Sequence, residues 1–258
     1  LSLSPADIDR AVCVTIDVEW AAQEVLDDLV RALDERGVRA TFFCTHPGSR
    51  VPGHERALHP NFRRNGDTIR ALREKLGPSY LDVTDAAVYE HVLRTTLEFA
   101  PEARGTRSHS LFYESDLLPR YEALGLRYDS TYFSPMTQGL RPTERGFGVL
   151  ELPVYFMDHH ALLVRQRSFQ LEDLRLDSPG LKVLDFHPNI VYTNATTLEL
   201  YESMRAAYRD PGRLLELRQP GRGPRTLFLD VLDELARGAW PTATLGEVES
   251  VARSRSSP

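Results

Sequence analysis

Short apolar runs alternate along the chain with stretches whose apolar positions recur at helical spacing, which predicts strands and helices in turn. Val12 to Ile16 is the first such run, β-branched and unbroken, as in a strand buried on both faces. Ala21 to Arg36 follows, with Val25, Leu26, Leu29, Val30 and Leu33 on one helical stripe, and stops at Gly37. Val38 to Thr45 predicts a second strand, and a Pro- and Gly-bearing loop, Pro47 to Gly53, leads on to His59-Pro60-Asn61-Phe62. Helices are predicted over Asp67 to Leu76, Asp85 to Phe99, Ser115 to Leu124, Thr197 to Arg209 and Thr226 to Arg237. Arg104 to Leu111 reads as a strand and its exit loop, and Leu126 to Phe133, Val149 to Phe156 and Leu181 to Phe186 read as strands. Repeated strand-then-helix units imply an α/β fold with a mostly parallel sheet, closed as a barrel or open and doubly wound. No internal repeat or composition shift marks a second domain, so residues 1–258 are expected to form a single domain, with Ala252 to Pro258 a frayed tail.

Polar chemistry gathers where these strands end, which is where α/β folds place their sites. Asp17 and Glu19 close the first strand, and strand alternation would turn both to one face with Val18 turned away. His46 follows the second strand, His59 and Asn61 the third, and Arg107 and His109 the next. Asp158, His159 and His160 follow Val149 to Phe156, and Asp185 and His187 close the last strand. Each histidine alone reads more readily as a packed or hydrogen-bonded group. Together with two carboxylates, the set points to a divalent metal with an acid/base pair beside it. Mixed imidazole and carboxylate ligation suits zinc, with cobalt, nickel and iron served by the same donors.

Composition narrows the classes further. A chain of 258 residues with 41% hydrophobic content can bury a sizeable core, while a net charge of -6 argues against a nucleic-acid surface. No apolar stretch reaches the length of a membrane span, and no basic-then-apolar leader opens the chain, so a cytoplasmic location is expected. Cys13 and Cys44 sit inside apolar runs and read as small buried hydrophobes. Walker-type, dinucleotide-binding and Cys-x-x-Cys patterns are missing from the sequence.

Thr15-Ile16-Asp17-Val18-Glu19, Ala40-Thr41-Phe42-Phe43, Gly53-His54-Glu55 leading to His59, Arg107, and the Leu184 to Pro188 segment occur in an order that resembles the polysaccharide deacetylase family of NodB-like carbohydrate esterases. The likeness spans Val12 to Pro188, and Phe228 to Val248 is similar to that family's closing helices. It implies a distorted parallel (β/α) barrel and metal-dependent removal of acetyl groups from amino sugars, with a carbohydrate as partner. By the same resemblance Asp17 is the catalytic base, Glu19 the acidic metal ligand and His59 the first histidine ligand. Arg107 would hold and tune the base, and His187 would protonate the leaving amine.

One position departs from the pattern: Arg63 stands where the family carries its second histidine ligand. His109 is the expected replacement, with Asn61 and His54 as the alternatives. Asp185 is placed by alternation to orient the His187 ring, or else to form an ion pair with Arg107. Trp20, Phe112, Tyr113 and Tyr132 are candidates to stack on sugar rings, or to pack. The expected activity is deacetylation of an N-acetylated amino sugar, in a branch that serves surface-polysaccharide (O-antigen-like) synthesis. A glycan-binding protein with a lapsed site, and a deacylase of non-sugar amides, are the rival expectations. Oligomeric state is left open.

Overall fold

The computed structural model describes residues 3–164 and 168–256. Nine strands form one sheet: β1 (Val12–Asp17), β2 (Ala40–Cys44), β3 (Glu55–Leu58), β4 (Gly105–Thr106), β5 (Tyr128–Asp129), β6 (Thr143–Glu144), β7 (Leu150–Glu151), β8 (Val154–Met157) and β9 (Lys182–Phe186). Their spatial order is β6-β7-β5-β4-β3-β2-β1-β9-β8, and every pairing is parallel except the β6–β7 hairpin. The sheet closes on itself. Beyond β5 the chain runs on to Phe133, which bridges to Val154 of β8. Val154 N donates to Tyr132 O at 2.8 Å, and Ser134 N and Met136 N donate to Val154 O and Tyr155 O at 2.9 Å each. The result is a distorted (β/α) barrel, as expected.

Alternation sets what each strand presents. Val12, Val14 and Ile16 of β1 pack outward with Leu184 and Phe186 of β9 against the helix layer. That layer includes helix Gln23–Asp34, which buries Val25, Leu26, Leu29, Val30 and Leu33. Each such side chain contributes about 1.5–3 kcal/mol. Cys13 and Val183 turn inward instead, joining Phe43, Ala57 and Tyr128 in the lower barrel, while Thr15, Asp17 and Asp185 are buried polar groups on the same strands. Both cysteines are free and buried.

Three expectations are corrected. Val149 to Phe156 is two strands, β7 and β8, because Pro153 between them lacks the N–H a ladder needs. The helix expected over Thr197 to Arg209 is broken into an α-helix over Leu198–Ser203 and a 3-10 turn over Arg205–Ala207. The tail is not frayed from Ala252: helix Leu245–Ser256 runs on, and the Arg253 guanidinium bonds to Arg127 O (2.9 Å) and to Glu249. Residues 257–258 of that expectation lie outside the described residues.

Candidate metal centre and acid/base site

The outgoing ends of β1, β3, β4, β8 and β9 meet at one rim of the barrel, around a cavity of about 330 Å³ lined by Asp17, Glu19, His109 and His187. His59 Nε2 lies 3.2 Å and His109 Nδ1 2.7 Å from the same oxygen, Glu19 Oε1. Donor atoms of these three residues all lie within 4.8 Å of one another. Asp17 is the neighbour on the other side, its Oδ2 at 3.7 Å from His59 Nε2.

Glu19 reaches this position by a route that alternation does not describe. β1 ends at Asp17, and Glu19 and Trp20 take left-handed backbone with φ of 49° and 57°. Two consecutive non-glycine residues in that region cost of order 1–3 kcal/mol each. The turn is held by Glu19 N donating to Thr45 Oγ1 at 3.0 Å and by Trp20 lying edge-on to the His109 ring, centroids 5.2 Å apart. On the other wall Ser110 and Leu111, which follow His109, also have positive φ, 58° and 53°.

Arg107 is fully buried and fixes Asp17. Its Nη1 donates to Asp17 Oδ1 (2.9 Å), Asp185 Oδ1 (2.6 Å) and Thr15 Oγ1 (2.9 Å), while Nε and Nη2 bond Ser130 O and Oγ at 2.9 Å each. One cation thus serves two buried carboxylates. Burial pushes Asp185 up to about 8, with Asp17 adding to the rise against the pull of Arg107. Burial would also raise Asp17, but His59, Arg107 and His187 outweigh it and hold the Asp17 carboxyl below its usual value. The two carboxyls are thus pushed in opposite directions, Asp185 upward by its burial and Asp17 downward by the cations around it.

Of the two roles expected for Asp185, the ion pair with Arg107 is the one present, and His187 is oriented by another acid. His187 Nδ1 bonds Asp158 Oδ1 at 2.7 Å, and Asp158 Oδ2 accepts from His187 N at 2.9 Å. Asp185 shares a face with His187, as alternation requires, yet its bonds go to Arg107 and Thr15 because the guanidinium fills the barrel interior beside it. Asp158, fully buried at the end of β8, was visible as a strand-end acid but not as the partner of a histidine 29 positions further on. Burial disfavours the imidazolium of His187, but Asp158, Asp185 and Asp17 raise its pKa to about 10. With Nδ1 committed, Nε2 is the nitrogen left for a substrate.

The remaining candidates separate cleanly. Asn61 is spent on its own loop, its Oδ1 accepting from Arg63 N at 3.0 Å. His54 accepts from Ala40 N (3.1 Å) and sits 3.4 Å from Asp34, away from the cavity. Neither belongs to the Glu19 cluster. His46 lies in a separate small pocket behind His59. His159 stands at the cavity wall, its ring 5.6 Å from that of His187, and His160 packs on Phe133. Phe112 is packed against Phe62 and Tyr89 and is not free to stack. Tyr113 and Tyr132 are exposed, 56% and 64%.

The parallel barrel thus brings two imidazoles and a carboxylate together at its strand ends, a candidate metal site, beside a second buried carboxylate and an acid-paired histidine. Residues 14–205 match the family model of the WbmS-like polysaccharide deacetylases, and the chain belongs to that family. Among solved structures it is similar to a candidate polysaccharide deacetylase described as involved in O-antigen biosynthesis, WbmS from Bordetella bronchiseptica. The two are 30% identical with a TM-score of 0.76, over 90% of this chain and 93% of the other. It also shares its fold with a candidate polysaccharide deacetylase from Mycobacterium smegmatis, at 17% identity and a TM-score of 0.56, over 100% and 96% of the two chains. No curated protein shows significant sequence similarity to the chain.

Proposed function

We propose that the protein is a divalent-metal-dependent hydrolase that removes the acetyl group from an N-acetylated amino sugar of a surface glycan. The observation that carries this reading is the convergence of Glu19, His59 and His109 beside Asp17. Two imidazole nitrogens and a carboxylate oxygen are a donor set for zinc or a related first-row ion. The fit rests on geometry: both ring nitrogens already aim at one carboxylate oxygen, and hydrogen bonds from His109 and His59 keep Glu19 ionised, well below its usual pKa despite burial. Burial also opposes charge on His59, although Asp17 and Glu19 together raise its pKa, so a cation would displace a proton there.

The ion supplies polarisation of the amide carbonyl and acidification of a water when bound. The chain's own groups do the rest. Asp17, ionised and locked by Arg107, takes a proton from the attacking water. As the C–N bond breaks, His187 gives its Nε2 proton to the departing amine, and acetate and amine leave. Asp158 holds the ring so that Nδ1 carries its proton throughout. The cavity, about 330 Å³, has room for one sugar with its acetamide.

The similarity to the Bordetella protein directs the choice of substrate toward surface glycans, as in O-antigen synthesis. The test is an acetate-release screen of the zinc-, cobalt- and nickel-loaded protein across N-acetylated oligosaccharides and non-sugar amides. Release from the sugars is expected. Release from non-sugar amides alone would move the substrate class, and glycan binding without any release would point to a binding protein.

A further inference from the structure

The catalytic cavity does not end at the metal centre. A second cavity of about 980 Å³ adjoins it, and Leu111 and Phe133 line both, so the two form one groove. Exposed aromatic surface marks the second part: Tyr113 and Tyr132 line it. Four arginines line the groove. Arg63 and Arg205 line the catalytic part, and Arg141 and Arg145 the extension. The carboxylates are Asp17, Glu19 and Glu151. Asp17 and Glu19 are committed to the metal centre and to Arg107. Glu151 is buried, accepting from Tyr132 N (3.0 Å) and bonded to Arg145. In a chain of net charge -6, an arginine-bordered groove is a local reversal.

The four arginines are not spent on structure alone. Arg63 is exposed and has no side-chain partner among the described residues. Arg205 pairs with Glu202 (2.8 Å) and Arg141 with Asp9 (3.3 Å), but both guanidinium groups are more than half exposed, and exposed pairs of this kind yield readily to a better anion. Arg145, mostly buried and paired through Nη1 with Asp129 and Glu151, lies 4.3 Å over the Tyr113 ring at the wall of the groove. Planar guanidinium forks match carboxylate and phosphate geometry.

We infer that the groove is built for an anionic glycan: the acetylated sugar enters the catalytic part with a negatively charged group on Arg63 and Arg205, and the next units lie along Tyr132, Tyr113 and Arg145. This rests on the proposed hydrolase reading and names its substrate class. The substitution of Arg63 for a histidine then has a second meaning: metal ligation passes to His109, and the vacated position reads charge.

The test uses the full chain and three matched probes: an oligosaccharide of alternating N-acetylhexosamine and uronate, a neutral N-acetylhexosamine oligosaccharide of equal length, and a nucleoside-diphosphate N-acetylhexosamine. Calorimetric binding and acetate release are both read. An anionic probe should bind at least about 10-fold more tightly than the neutral one, with a preference that falls as salt is raised. Arg63→Gln and Arg205→Gln should each cut that preference about 10-fold, while Arg94→Gln, on the remote helix Asp85–Leu97, leaves it unchanged. Preference for the uronate places the charge on the glycan, and preference for the nucleotide sugar places it on a phosphate carrier. Equal binding of all three, or a preference that survives both substitutions, overturns the inference whether or not acetate is released. Selective binding without acetate release would instead count against the hydrolase reading alone.

Discussion

The two ends of the barrel bury charge in opposite ways. At the end away from the cavity, Glu249 is fully buried and meets Arg104 (3.1 Å), Arg127 (3.6 Å) and Arg253. Glu55 accepts there from Tyr128 Oη (2.9 Å), Thr41 Oγ1 (2.7 Å) and Gly246 N (3.0 Å). These partners tie helix Leu245–Ser256 across the bottom of the sheet. At the rim, His59 Nδ1 and Asp185 Oδ2 are buried with no hydrogen-bond partner among the described residues, two histidines share one carboxylate oxygen, and the backbone is left-handed at Glu19, Trp20, Ser110 and Leu111. Satisfied charge holds a fold together, whereas unsatisfied and strained charge is maintained for a ligand. On the proposed reading, the same residue types therefore carry stability at one end and chemistry at the other.

Substitutions should separate the two ends by what they change. The largest effect is expected for Asp17→Asn, which keeps the shape of the Arg107 contact but removes the base. Acetate release should fall about 10²–10⁴-fold while the protein still binds one metal ion, checked by acetate assay and elemental analysis on the same sample. His109→Ala should lose metal and with it nearly all turnover. Glu249→Gln, at the satisfied end, should instead cost about 1–3 kcal/mol in a denaturant titration and leave metal affinity as it was. If Glu249→Gln abolishes metal binding, the division between the ends is wrong.

A finer prediction concerns pH. The His187 pKa is raised from 6.5 to about 10, so its charged form stabilises the fold fully below about pH 6.5, and that stabilisation is lost as pH rises through about 10. Melting temperature should accordingly drop between pH 7 and 10, and Asp158→Asn should remove most of the drop while lowering stability at pH 7. A pH profile identical in the variant would show that Asp158 does not hold the ring charged. Smallest of all, Ser110→Gly relieves one left-handed residue next to His109 and should stabilise by about 0.5–1 kcal/mol, at the cost of weaker metal binding from a looser loop.

Much of the rim could be read from the chain because strand ends are punctuated. β1 is a largely β-branched run that ends on Asp17, and β2 and β9 are followed at once by Thr45 and His187, so Asp17 and His187 are visible as strand-end groups. Asp17, Glu19, His59, Arg107 and His109 do meet, and Asp185 joins them through Arg107. What escaped was pairing at a distance. The Asp158–His187 bond spans 29 positions and depends on β8 lying beside β9, which no local pattern states. Glu19 joins the His59–His109 cluster for a different reason than alternation, through a left-handed turn held by tertiary contacts with Thr45 and His109. β4, β5, β6 and β7 contribute two residues each, too few for any periodicity to register.

The central claim is that Glu19, His59 and His109 hold one divalent cation beside Asp17. An anomalous-scattering crystal structure of the protein soaked in zinc tests it most directly. One strong peak per chain is expected, bonded to Glu19, His59 Nε2 and His109 Nδ1 at about 2.0–2.2 Å, with Asp17 close by but unbonded. A peak that leaves out His109, or no peak at this rim while zinc binds elsewhere, would contradict it.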